Sequence, residues 1–128
     1  MSKESGGCVF CNIQNERVVA ENEYAFAIRD CFPVTAGHSL IIPKRHIKDY
    51  FGLTENELLA CNSLLQLLRT EIMKEYQPVK GFNIGMNSGS AAGQTIFHCH
   101  IHLIPRREGD VEDPRGGVRH VIPEKGNY

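Results

Sequence analysis

Apolar and polar positions alternate along Tyr24-Ala25-Phe26-Ala27-Ile28-Arg29-Asp30. The two-residue period puts Tyr24, Phe26 and Ile28 on one face of a strand. A shorter strand, Val18 to Glu21, precedes it, and Asn22-Glu23 between the two fits a tight turn. Residues 8–14 read as a short N-terminal helix or turn around Cys8 and Cys11. After a loop from Pro33 to Gly37, the apolar run Ser39-Leu40-Ile41-Ile42 predicts a buried strand that Pro43 ends.

The period then changes from two to 3.6. Leu58, Cys61, Leu64, Leu65, Leu68, Ile72 and Tyr76 recur at helical spacing. Thr54-Glu55-Asn56-Glu57 has the form of a capping box at the start, and Pro78 stops the helix at its end. A helix over 55–76 would be about 33 Å long, enough to cover a small sheet. Phe82 to Asn87 predicts a further strand, Ser88 to Gly93 a loop of small residues, and Ile96 to Ile104 a last strand closed by Pro105. The order predicts an α+β domain: about five strands in a largely antiparallel sheet, one long helix and the short N-terminal helix.

Length and composition narrow this picture. A chain of 128 residues is expected to make one domain, here with residues 1–7 as a disordered lead and 107–128 as an irregular tail. A net charge of −1 gives no basic footprint for long nucleic acid. No apolar run approaches the ~20 residues that span a bilayer, so no membrane partner is expected. Five cysteines, an odd number, with no secretory h-region behind Met1, predict a reducing, cytoplasmic setting. Cys31, Cys61 and Cys99 then read as packing residues, and His120 as a surface residue.

The chemistry concentrates in His98-Cys99-His100-Ile101-His102. In a strand, three alternate imidazoles share one face, with ~6.6–6.8 Å between successive members, while Cys99, Ile101 and Leu103 face a core. Pure packing explains such a row poorly, because every imidazole has two polar nitrogens to satisfy. Two uses remain open: a metal site, or phosphoryl chemistry. Neutral imidazole is a nucleophile near pH 7, and its neighbours can hydrogen-bond phosphate oxygens or protonate a leaving group.

The run His98-Cys99-His100-Ile101-His102-Leu103-Ile104 resembles the motif of the histidine-triad family. The segment Asp30 to His46, with Gly37-His38 and Ile42-Pro43-Lys44, is similar to that family's other signature, and Gly93-Gln94-Thr95 also fits. The similarity covers roughly residues 8 to 110. It implies that His100 attacks an α-phosphorus and forms a nucleotidyl-histidine intermediate. It further implies that His102 and His38 contact phosphate and leaving-group oxygens, and that Thr95, with Gln94 beside it, contacts the phosphate or the leaving group. Asp30 would bind the ribose hydroxyls, Asn87 would sit near the phosphates, and Ile28 and Leu40 would line the base pocket. A homodimer is implied as well.

Cys8-Val9-Phe10-Cys11 alone is a weak signal, compatible with a redox pair or a core turn. Tetrahedral zinc needs two further ligands, and His46 and His98 are available. Zinc-containing branches of the family use these four positions, which implies a structural zinc on Cys8, Cys11, His46 and His98. Catalysis would then rest on His100, His102 and His38. The run Leu103 to Asp110 resembles the branch that cleaves dinucleoside polyphosphates more than the one that cleaves nucleoside phosphoramidates, whose tryptophan-containing ending is absent. The expected substrate is therefore a purine nucleotide conjugate, first of all a dinucleoside polyphosphate. A phosphoramidate, or a regulatory role in which nucleotide is bound and catalysis is incidental, stands as the alternative.

Overall fold

The structure is a computed structural model and describes residues 7–127. The expected disordered lead falls almost wholly outside that range; within it Gly7 is exposed. Five strands form one antiparallel sheet: β1 (Val18–Glu21), β2 (Ala25–Arg29), β3 (Ser39–Pro43), β4 (Gly81–Gly85) and β5 (Ile101–Arg106). The sheet order is β1-β2-β3-β5-β4. The long helix, α1, spans Glu55–Glu75. Its capping box is present in both directions: the Thr54 hydroxyl accepts from the Glu57 amide, and the Thr54 amide donates to the Glu57 carboxylate.

The two faces of the sheet have different covers. Odd-numbered side chains Ala25, Ala27, Ile41, Ile101 and Leu103 pack beneath α1, against Ala60, Cys61, Leu64, Leu68 and Ile72. Removing Leu64, Leu68 and Ile72 from water stabilises this layer by about 1.5–3 kcal/mol each. Even-numbered Phe26, Ile28, Leu40 and Ile42 face the other way and are covered by Phe10, Cys8, Ile13 and Ile96. That second face carries the histidines, because alternation extends from Ile28 to Asp30, from Leu40 back to His38, and from His102 back to His100.

Several expectations need correcting. The N-terminal helix is instead a tight turn (Cys11 N–H to the Cys8 carbonyl, 3.2 Å) followed by a 3₁₀ turn at Asn15–Arg17. With two cysteines and Phe10 held against the sheet, the segment is too short for intrahelical bonds to organise it. β2 is buried on both faces, not one, because α1 and the N-terminal turn each cover a side. Leu58 is exposed, and the buried positions in the first half of α1 are Glu57, Ala60, Cys61 and Leu64. Cys31 is exposed as well, while Cys61 and Cys99 are buried. The last strand begins at Ile101, so His98 and His100 lie in an irregular lead-in with a bend at His98 rather than in the strand proper. The segment is tied to a loop instead of a strand: the Cys99 amide donates to the Ile47 carbonyl at 2.7 Å.

Candidate active site and metal centre

Hydrogen-bond direction decides which nitrogen of each histidine carries its proton. The His100 Nδ1–H donates to the His98 carbonyl at 2.8 Å, which leaves the Nε2 lone pair of the neutral ring uncommitted. The Val34 amide donates to His38 Nδ1 at 3.1 Å, so the proton of neutral His38 is on Nε2. That Nε2–H faces His102 Nδ1 at 2.9 Å, with the Asp30 carboxylate 3.4 Å away. His102 Nδ1 is therefore an acceptor and its Nε2–H a donor. The result is an ordered row: a lone pair on His100 beside an N–H on His102, ring centroids 5.2 Å apart.

Burial keeps His38 and His102 neutral. Desolvation, together with the neighbouring His100 and His38, pushes His102 down to about 4, against the opposing pull of Asp30. Burial likewise lowers His38, again opposed by Asp30. Neither ring is an imidazolium at neutral pH, so each keeps the acceptor nitrogen that the row requires.

A cavity of about 530 Å³ opens onto these groups. Its walls include Ile28 and Leu40 from β2 and β3, with Asp30, Asn87, Thr95, His100 and His102. Most of the residues expected at the site thus meet around one space. Asp30 also accepts from the Phe32 amide at 2.8 Å, so it is a turn residue and a cavity residue at once. His38 lies behind His102 rather than in the wall. Gln94 departs from expectation. Its buried amide accepts from the Gly89 N–H and donates to the carbonyls of Lys48 and Ile96. The amide is thereby fully engaged in bracing the 88–97 loop, and it does not line the cavity. Arg106 is held by Asp110 and Asn83, and Arg107 by the Tyr76 carbonyl.

Phe10 and Arg17 were not singled out in the sequence. The Phe10 ring meets His100 edge-on, centroids 4.9 Å apart, and both residues line the cavity. An apolar residue between two candidate metal ligands was the available signal for Phe10. For Arg17, one charged residue ahead of a strand, there was none.

The second cluster lies beside the first. One ligand atom from each of Cys8, Cys11, His46 and His98 falls within 4.8 Å of all the others. Sulfur-to-nitrogen separations are 3.2 Å (Cys11–His46), 3.4 Å (Cys8–His98) and 3.5 Å (Cys11–His98). A tetrahedral zinc with Zn–S of about 2.3 Å and Zn–N of about 2.0–2.1 Å would set S···N edges of about 3.5 Å. The orientation fits too. His98 Nε2–H donates to the Pro43 carbonyl at 2.8 Å, which leaves Nδ1 unprotonated toward the sulfurs. Burial and the adjacent Cys8 push the Cys11 thiol up to about 11. A cation among the four donors would reverse that bias.

A family model described as the HIT domain matches residues 12–109. The chain belongs to the HIT family. A HIT family protein from Bacillus anthracis has a similar crystal structure, with 40% identity, a TM-score of 0.75, and coverage of 82% of this chain and 77% of that one. A Zn-bound histidine triad family protein from Mycobacterium smegmatis is 35% identical at a TM-score of 0.74, covering 83% and 79%. An adenylylsulfatase of Arabidopsis thaliana is 39% identical over 107 residues, which are 80% of this chain and 54% of that protein. The HIT fold was thus expected and is found; the N-terminal helix is the part of it that is missing.

Proposed function

We propose that this HIT protein is a nucleotidyl hydrolase or transferase acting on purine nucleotide conjugates, with dinucleoside polyphosphates as the first substrate class. The observation that carries the reading is the His100 Nδ1–H bond to the His98 carbonyl, which leaves Nε2 as a lone pair on a cavity-lining ring. In the first step Nε2 attacks the α-phosphorus, a nitrogen–phosphorus bond forms, and the bond to the leaving oxygen or nitrogen breaks. The His102 Nε2–H hydrogen-bonds the departing group or a phosphate oxygen, and His38 holds His102 in that tautomer. Water or another acceptor then attacks the nucleotidyl-histidine and releases the nucleotide.

Thr95 and Asn87 reach the phosphates from the cavity rim, Asp30 accepts from the ribose diol, and Ile28 and Leu40 bear on the base. Zinc on Cys8, Cys11, His46 and His98 is structural: four protein ligands close the shell and leave no position for substrate. The Zn-bound relative supports this assignment, and the adenylylsulfatase supports a nucleotide conjugate as substrate. The working unit in this reading is a cytoplasmic homodimer of single 128-residue domains, and the exposed Ile84 on edge strand β4 favours association there. Among the described residues no helix is long and apolar enough to cross a membrane.

The test offers diadenosine tri- and tetraphosphate and an AMP-amine phosphoramidate to wild type and to His100→Ala. AMP release from the dinucleotides is expected, fastest among the three, and lost in His100→Ala while nucleotide binding persists. Preference for the phosphoramidate would overturn the leaving-group assignment and keep the nucleophile. Binding without turnover of any substrate would replace the enzyme by a nucleotide-binding regulator.

A further inference from the structure

Among the described residues Arg17 contributes the one arginine or lysine side chain to the cavity wall, whose other polar members are Asp30, Asn87, Thr95, His100 and His102. Its backbone ends the 3₁₀ turn before β1, and the pairing of Val18 with Ile28 sets it alongside Arg29. There Arg17 Nη2 donates to the Arg29 carbonyl at 3.3 Å, and Arg17 and Asp30 both line the cavity. No other protein acceptor among the described residues takes its remaining N–H groups. The side chain is half-buried, and with Val9 and Ile13 it borders a second, shallower cavity that no histidine lines. With the phosphate at His100 and His102, the base would lie toward Arg17 and Ile13, where the main cavity adjoins the second.

A guanidinium offers donors only. Guanine and hypoxanthine present two acceptors, O6 and N7, on one edge, to which a planar fork can donate twice. Adenine presents N7 beside the N6 amino group, itself a donor. Apolar walls accept either purine face and do not discriminate between them. We propose that Arg17 is a specificity-determining residue that selects 6-oxopurine nucleotides over adenine nucleotides. This rests on the cavity being a nucleotide site, as proposed above, and concerns only which base it takes.

The experiment measures binding of GMP, IMP, AMP and 7-deaza-GMP by calorimetry to wild type, Arg17→Met and Arg17→Lys. GMP and IMP are expected to bind about tenfold to a hundredfold more tightly than AMP, and 7-deaza-GMP to lose part of that advantage. Arg17→Met is expected to bring GMP and IMP to the level of AMP while leaving AMP nearly unchanged. Arg17→Lys keeps the charge without the planar fork and is expected to lose the discrimination as well. Equal affinity for GMP and AMP in wild type would overturn the proposal. So would an equal loss for all four ligands in Arg17→Met, which would mark Arg17 as a phosphate or ribose contact. Failure of every nucleotide to bind wild type would instead overturn the nucleotide-site reading on which it rests.

Discussion

Arg45 joins the start of α1 to the segment that delivers His46, and its removal should be felt in both. Its Nε and Nη2 donate to Glu57 at 2.9 and 2.8 Å, and Nη2 also donates to the Gly52 carbonyl at 2.9 Å. The Glu57 side chain is only 4% exposed, the Arg45 side chain 48%. Arg45→Ala therefore leaves a buried carboxylate whose main compensating partner is gone, retaining its bond from the Thr54 amide. Breaking one side of a fully buried pair costs about 3–5 kcal/mol. Because water reaches Arg45, we take about 2–3 kcal/mol. For a domain of this size a kilocalorie corresponds to about 4 °C, so Tm should fall by about 8–12 °C in a calorimetric or circular-dichroism melt. Glu57→Gln in the Arg45→Ala background should recover part of the loss, because it removes the uncompensated charge, and the two changes should couple by about 1–2 kcal/mol. The pH dependence follows from the same pair. The Arg45 hydrogen bonds hold Glu57 below the ordinary carboxylate range. Their stabilisation is thus present above the unfolded value of about 4.3 and lost as pH falls through the lower folded value. That acid-side loss should shrink in Arg45→Ala. A Tm drop under 2 °C, or strictly additive single changes, would show the pair to be no more than a surface ion pair.

Chelation, or Cys11→Ala, should lower both Tm and turnover, and zinc should restore them in the chelated wild type alone; unchanged melting on metal removal would refute a structural cluster. Gln94→Ala should cost about 2 kcal/mol by orphaning the Gly89 N–H and the Lys48 carbonyl; a raised KM at unchanged Tm would instead make Gln94 a ligand contact. His102 is held near pKa 4 when folded, against about 6.5 in the unfolded chain, so between those values the unfolded chain carries the extra proton. The stability tied to His102 is therefore complete above about pH 6.5 and lost as pH falls to about 4, and His102→Gln should flatten the melting profile across that window.

What was legible in the sequence was whatever depended on a repeating period or a local cap. The helix from Glu55 and its capping box follow from residues within a few positions of one another, and the buried β3 from an unbroken apolar run. The sharing of a face by His100 and His102 was legible for the same reason. What was not legible depends on contacts distant in sequence. Pairing with β3 starts only at Ile101, opposite Ile41, although β3 itself continues to Pro43. Gln94 looked like a ligand residue because it neighbours Thr95, yet its amide is taken by Lys48, 46 residues away. Nothing periodic around Phe10 points to His100; the turn between the cysteines lays it there.

His98 is where the two sites become one device. Its ring belongs to the cysteine–histidine cluster, with Nδ1 toward the sulfurs and Nε2–H on the Pro43 carbonyl. Its own backbone carbonyl is the acceptor that fixes the His100 tautomer at 2.8 Å. A ring held at both nitrogens cannot rotate, and a carbonyl attached to that residue inherits its position. In the proposed mechanism the cluster would then aid catalysis without touching substrate, by holding the carbonyl that takes the His100 Nδ1–H. The same reasoning explains why Phe10 sits between Cys8 and Cys11: the turn those cysteines close presses the ring against His100, 4.9 Å between centroids. The Phe10 ring and the His98 carbonyl confine His100 from two directions, and both belong to segments that carry members of the cysteine–histidine cluster. Loss of the cluster should then appear mainly in kcat, since Asp30, Ile28 and Leu40 stand on strands that the N-terminal turn covers but does not form.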